Sequence, residues 1–114
     1  MGDTVMTELS FEQFVYIFEN DDIFPVDETA FHFEGETGGE HHFLGCLREQ
    51  NSEKPYWAGY CDDPQGCEFA TARELLCADI FGGRSVKDSW AHIVIDTIGG
   101  IAADDWLENY KEKL

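Results

Sequence analysis

Eleven carboxylates crowd the first 47 residues of this chain: Asp3, Glu8, Glu12, Glu19, Asp21, Asp22, Asp27, Glu28, Glu34, Glu36 and Glu40. No lysine or arginine accompanies them, and the first basic side chain is Arg48. Residues of this type can do two kinds of chemistry. They can hold a hard cation through oxygen, or they can form a surface that replaces phosphates in front of a basic partner. The cation reading needs alternating ligands, a central glycine and a distal glutamate. Asn20–Glu28 lacks that pattern, so no calcium site is expected. In the surface reading, Asp21, Asp22, Asp27, Glu28, Glu34, Glu36 and Glu40 stand in for phosphates. Phe24 and Tyr56 are the aromatic anchors, because aromatics are enriched at interface hot spots.

The other chemistry-bearing residues give less. Cys46, Cys61, Cys67 and Cys77 do not have the C-x2–4-C spacing of a zinc knuckle. They read as reduced thiols, with Cys46 and Cys77 acting as small hydrophobes. His41 and His42 are adjacent, so in a strand they face opposite sides, and a chance surface cluster with His32 and Glu34 is the simpler reading. No metal and no cofactor are expected. The chain has no Gly-x-Ser-x-Gly, no phosphate-binding glycine loop and no His-Glu-x-x-His. It is therefore not read as an enzyme.

The elements that would position these residues follow from periodicity. Ser10-Phe11-Glu12-Gln13 is a capping box, and Phe11, Phe14, Val15 and Phe18 form one apolar stripe. A helix is expected over Phe11–Glu19, stopped by Asn20-Asp21-Asp22 and by Pro25. Strands are expected over Ala30–Glu34, His42–Arg48 and Tyr56–Cys61, separated by Gly38-Gly39 and by Asn51–Pro55. In the third strand, Trp57 is expected in the core, with Tyr56 and Tyr60 on the other face. Thr71-Ala72-Arg73-Glu74 is a second capping box, opening a helix over Thr71–Phe81 that Gly82 ends. Ser85–Trp90 reads as one helical turn, and His92–Ile98 as a buried strand that Gly99-Gly100 breaks. Asp104–Lys113 is a third helix, its acids first and its lysines last, as the helix dipole prefers.

The resulting order is α-β-β-β-α-β-α. It implies an α+β fold: an antiparallel sheet of three to four strands with helices packed mainly on one face. One compact domain over residues 1–114 is expected, with 1–9 frayed. The opening α-β-β-β-α matches the element order of the double-stranded-RNA-binding domain. That module needs basic residues for its phosphate contacts, and the first half here has none, so membership is not inferred.

Composition narrows the function classes. The 114 residues carry a net charge of −17, with 43% hydrophobic and 14% aromatic residues. Acidic disordered tails lack aromatics, so this is a folded domain. A comfortable net charge for a small domain has magnitude about 2–8, and this chain far exceeds it. Surface scaling gives roughly 370 Å² per net charge, against about 110 Å² on a DNA cylinder roughly 20 Å wide. Mimicry therefore needs the charge gathered on one face. Direct binding of nucleic acid or anionic membrane is excluded by sign. No secretory signal or membrane-length apolar run is present, so a cytoplasmic protein is expected.

The expected function is a small acidic protein-binding inhibitor that occupies a basic, nucleic-acid-binding surface of a partner protein or nuclease. In size and charge it is analogous to phage anti-CRISPR proteins and to nuclease immunity proteins. The alternatives are an accessory globular domain whose acidity serves solubility, or a small metal-binding protein or enzyme.

Overall fold

The computed structural model describes residues 9–36, 42–50, 52–59 and 67–114. Its first helix, α1, spans Phe11–Glu19. Both halves of its capping box are made: the Ser10 hydroxyl accepts from the Gln13 N–H at 3.1 Å, and the Gln13 side chain accepts from the Ser10 N–H at 2.9 Å. Phe14, Val15, Ile17 and Phe18 are buried, so the apolar stripe faces the core. Leu9 is also buried, and the core therefore begins within the end read as frayed; residues 1–8 lie outside the described residues.

Six strands follow: β1 Thr29–Phe33, β2 His42–Cys46, β3 Tyr56–Gly59, β4 Glu68–Phe69, β5 Ile93–Ile98 and β6 Ile101–Ala102. They form one sheet in the order β4-β3-β2-β1-β5-β6, and every neighbouring pair is antiparallel. The fold is α+β, as the pattern implies, with two more strands than the upper expectation. Both additions are two-residue edge strands. β6 arises because Gly99 and Gly100, at φ 60° and 80°, form a two-residue turn rather than a break. Positive φ at both central residues is the condition for a tight hairpin turn that matches sheet twist. Gly99 is doubly constrained, because a side chain there would collide with the Pro25 carbonyl.

The second helix, α2, spans Ala72–Cys77, with its Thr71–Glu74 capping box formed. It ends earlier than the expected Phe81, because Ala78 turns to extended geometry at φ −78°, ψ 137°. Gly82 and Gly83 instead make a tight turn between the bridged residues Phe81 and Arg84. The third helix, α3, spans Ala103–Tyr110, followed by a 3-10 turn over Lys111–Lys113. The expected turn at Ser85–Trp90 is formed, with the Ser89 N–H donating to the Ser85 carbonyl at 3.2 Å, and a 3-10 turn over Trp90–His92 follows it.

All three helices contribute to one core with one face of the sheet. Phe14 and Phe18 of α1, Leu75 and Leu76 of α2, and Trp106 and Leu107 of α3 join Phe31, Phe33, Leu44, Ile93 and Ile95 in a single cluster. Because neighbouring residues in a strand face opposite sides, Ala30, His32, Phe43, Gly45, Trp57, Gly59, Val94 and Asp96 belong to the other face. No helix of the described residues is long and apolar enough to cross a membrane.

Candidate protein-binding surface

Two groups of acidic residues sit at opposite ends of β1. A five-residue strand spans about 16 Å, and that length separates Asp21, Asp22, Asp27 and Glu28, which precede β1, from Glu34 and Glu36, which follow it. Glu40 lies outside the described residues, as do His41, Tyr60 and Cys61.

Several of these carboxylates already have internal partners. Asp21 accepts from Arg48 Nε at 2.8 Å, and Arg48 Nη2 donates to the Tyr56 hydroxyl at 2.7 Å. The same guanidinium lies over the Tyr56 ring, 5.4 Å from its centroid. The hydrogen bond to Asp21 holds the Arg48 pKa above its ordinary value. Asp27 accepts from the Trp57 indole N–H at 2.9 Å. Glu36 accepts from the Phe33 N–H at 2.7 Å and pairs with His42 at 2.9 Å. Burial pushes Glu36 up, but the Phe33 and His42 contacts outweigh it and hold the carboxyl below its ordinary value. Asp22, Glu28 and Glu34 are exposed, with Glu34 lying 3.3 Å from His92.

The aromatic residues differ from expectation. Phe24 is 1% exposed and Tyr56 4% exposed, so neither presents surface to a partner. Phe24 packs against Trp106, Tyr110 and Tyr16, which pins the acidic loop to the core. The Trp106 indole N–H reinforces this by donating to the Pro25 carbonyl at 3.0 Å. The face assignment of β3 is also reversed. Tyr56 points into the core beside Cys46, while Trp57 lies on the open face. Gly45 is the reason. It pairs with Trp57 across β2 and β3, and the indole covers it so closely that a Cβ there would collide with the ring. A glycine opposite and a carboxylate for the N–H let a tryptophan lie flat on a sheet. This signal was present in the sequence as Gly45 inside a strand, which marks close approach of another group.

The cysteine expectation is corrected as well. Cys46 and Cys77 are free, but Cys67 is disulfide-bonded, with a partner outside the described residues. The Cys67 carbonyl accepts from the Ala58 N–H at 2.9 Å, so the residue closes the β3–β4 hairpin. Spacing along the chain does not reveal such closure. The expectation of four reduced thiols followed from the cytoplasmic reading, and the Cys67 disulfide contradicts it. Burial, and then the Asp21 carboxylate, push the Cys46 thiol up to about 12. It is therefore protonated at neutral pH and is not an activated nucleophile.

Each of the described histidines faces a carboxylate: His32 meets Asp96 at 2.9 Å across β1 and β5, His42 meets Glu36, and His92 meets Glu34. Among the described residues, no three histidine, cysteine or acidic side chains gather around a point that could hold a metal ion.

The basic residues have a clear distribution. None of the six strands contains a lysine or arginine. The arginines lie off the sheet: Arg48 follows β2, Arg73 is on α2 paired with Glu12 at 2.6 Å, and Arg84 follows the Gly82-Gly83 turn. Among the described residues, the open face of the sheet thus carries aromatic, aliphatic, histidine, glycine and acidic residues but no lysine or arginine. Comparison with protein-family models, with curated proteins and with solved structures finds no match.

Proposed function

We propose that this chain is a protein-binding inhibitor that covers a basic, nucleic-acid-binding surface of a partner. The observation that carries the reading is the combination of a net charge of −17 with a sheet whose described strands contain no lysine or arginine. An acidic surface without lysine or arginine attracts a basic surface and repels nucleic acid. Asp22, Glu28 and Glu34 supply exposed charge at both ends of β1, and Asp21, Asp27 and Glu36 add to the field while serving internal contacts. Inhibition follows from steric occlusion together with competition for the partner's cations.

The experiment is capture of the partner on immobilised protein, followed by displacement of a labelled nucleic acid from it at two salt concentrations. Displacement that weakens with salt supports the reading, because exposed charges are screened over about 8–10 Å near physiological ionic strength. Asp22→Lys with Glu28→Lys should slow association more than Asp104→Lys with Glu108→Lys, since Lys111 and Lys113 dilute the charge beside α3. A partner that keeps its nucleic acid overturns the proposal. Equal effects of the two variants show that net charge alone matters, which is the solubility reading.

A further inference from the structure

We infer that Trp57 and Asp27 form a receptor for an arginine side chain of the basic partner. The inference rests on the proposed function above and assigns its point of contact.

Two arginines of this fold lie over an aromatic ring near a carboxylate. Arg48 lies over Tyr56 and pairs with Asp21. Arg84 lies 3.8 Å from the centroid of the Phe33 ring, and its charge helps hold down the pKa of Glu36. Trp57 and Asp27 make a third pairing of ring and carboxylate, on the open face of the sheet. The chain's own arginines are all engaged elsewhere, the remaining one, Arg73, by Glu12.

The geometry suits a guanidinium. The Nε1 edge of the indole and Asp27 Oδ1 both lie where a side chain of Gly45 would stand, and Trp57 remains partly exposed. The hydrogen bond from Trp57 Nε1 to Asp27 Oδ1 fixes the ring in place, so little side-chain freedom is lost on binding. On the far side, Trp57 pairs with Glu68 of β4, which is exposed and shares its face. Trp57 thus has one carboxylate in contact, Asp27, and a second, Glu68, as its cross-strand neighbour. Tryptophan is the best aromatic partner for a cation. A planar guanidinium can stack on it and pair with a carboxylate at the same time, whereas a lysine ammonium offers only a point charge. A second copy of this chain is a poor occupant, because two bodies of charge −17 repel. Nucleic acid, which could also stack on an indole, is disfavoured by the same sign.

The test uses hexa-arginine and hexa-lysine peptides at low salt, followed by the indole N–H signals in nitrogen–proton correlation spectra. Trp57→Phe assigns the Trp57 signal. Asp27→Asn removes the charge but keeps an acceptor for the indole, so the fold is retained. Hexa-arginine should shift the Trp57 signal and bind about fivefold more tightly than hexa-lysine, the size of a single exposed cation–π contact with one added pairing. Trp57→Phe should bring the two peptides close to equal affinity, and Asp27→Asn should weaken hexa-arginine more than hexa-lysine. If both peptides bind equally, the Trp57 signal stays still, and Asp22→Lys with Glu28→Lys weakens both, the receptor is overturned while the acidic-surface reading stands. If neither peptide binds, both are overturned.

Discussion

The indole of Trp57 occupies the space that a side chain at position 45 would need. Gly45 sits in β2, a strand flanked on both sides, so the backbone cannot yield easily. Gly45→Ala should displace the ring and break its bond to Asp27, with a stability loss of about 1–3 kcal/mol, as for other overpacked sites. Urea unfolding and the Trp57 indole N–H shift report the two effects. An unchanged midpoint would show that the indole moves aside freely.

Arg48 joins Asp21 and Tyr56, so the three should behave as a unit. Tyr56→Phe and Arg48→Met should each cost about 0.5–1.5 kcal/mol, the net value of a typical hydrogen bond. The double variant should cost less than the sum, because both changes remove the same contact. Strict additivity in denaturant unfolding would show that the hydroxyl and the guanidinium act separately.

Glu36 has a folded-state pKa below its unfolded value of 4.5. It therefore contributes stability above pH 4.5, and this is lost as pH falls through the depressed folded value. Glu36→Gln should flatten the acid limb of the stability profile and lower stability at pH 7. The measurement is unfolding midpoint against pH from neutrality into acid. An identical acid limb in the two proteins would contradict this.

The thiols should separate into classes. Without reductant, the denatured chain should release two thiols, Cys46 and Cys77, and after reduction four. In the folded protein at pH 8, Cys77 should react first, because Cys46 is 6% exposed and stays protonated. Its folded-state pKa of about 12 exceeds the ordinary value of 9.0, so its contribution to stability is lost as pH rises from about 9 towards 12. Cys46→Ala should remove that part of the alkaline loss. Four thiols in the unreduced chain would remove the disulfide.

The elements whose signals are local are legible in the residues alone. Each capping box is decided by a hydroxyl and an amide or carboxylate three residues apart, and both form as their spacing implies. The α1 stripe and the alternation in β1 are likewise local periodicities, so the α+β class followed from them. The excess of charge is a property of composition and needs no structure at all.

Which face each residue takes, and which charges remain available, follow from long-range packing. Trp57 lies outward because Gly45, twelve positions away, leaves room for it and Asp27 receives its N–H. Phe24 turns inward because α3 brings Trp106 and Tyr110 to it from the far end of the chain. Asp21 and Glu36 acquire partners in Arg48 and His42 through sheet pairing, which converts apparent surface charge into structural contacts. The two edge strands depend on hairpin closure. Periodicity records how a segment can fold on itself, whereas packing is set by whichever distant side chain fills the space beside it. That is why the charge of this protein was readable from its residues, and the place where that charge can grip a partner was not.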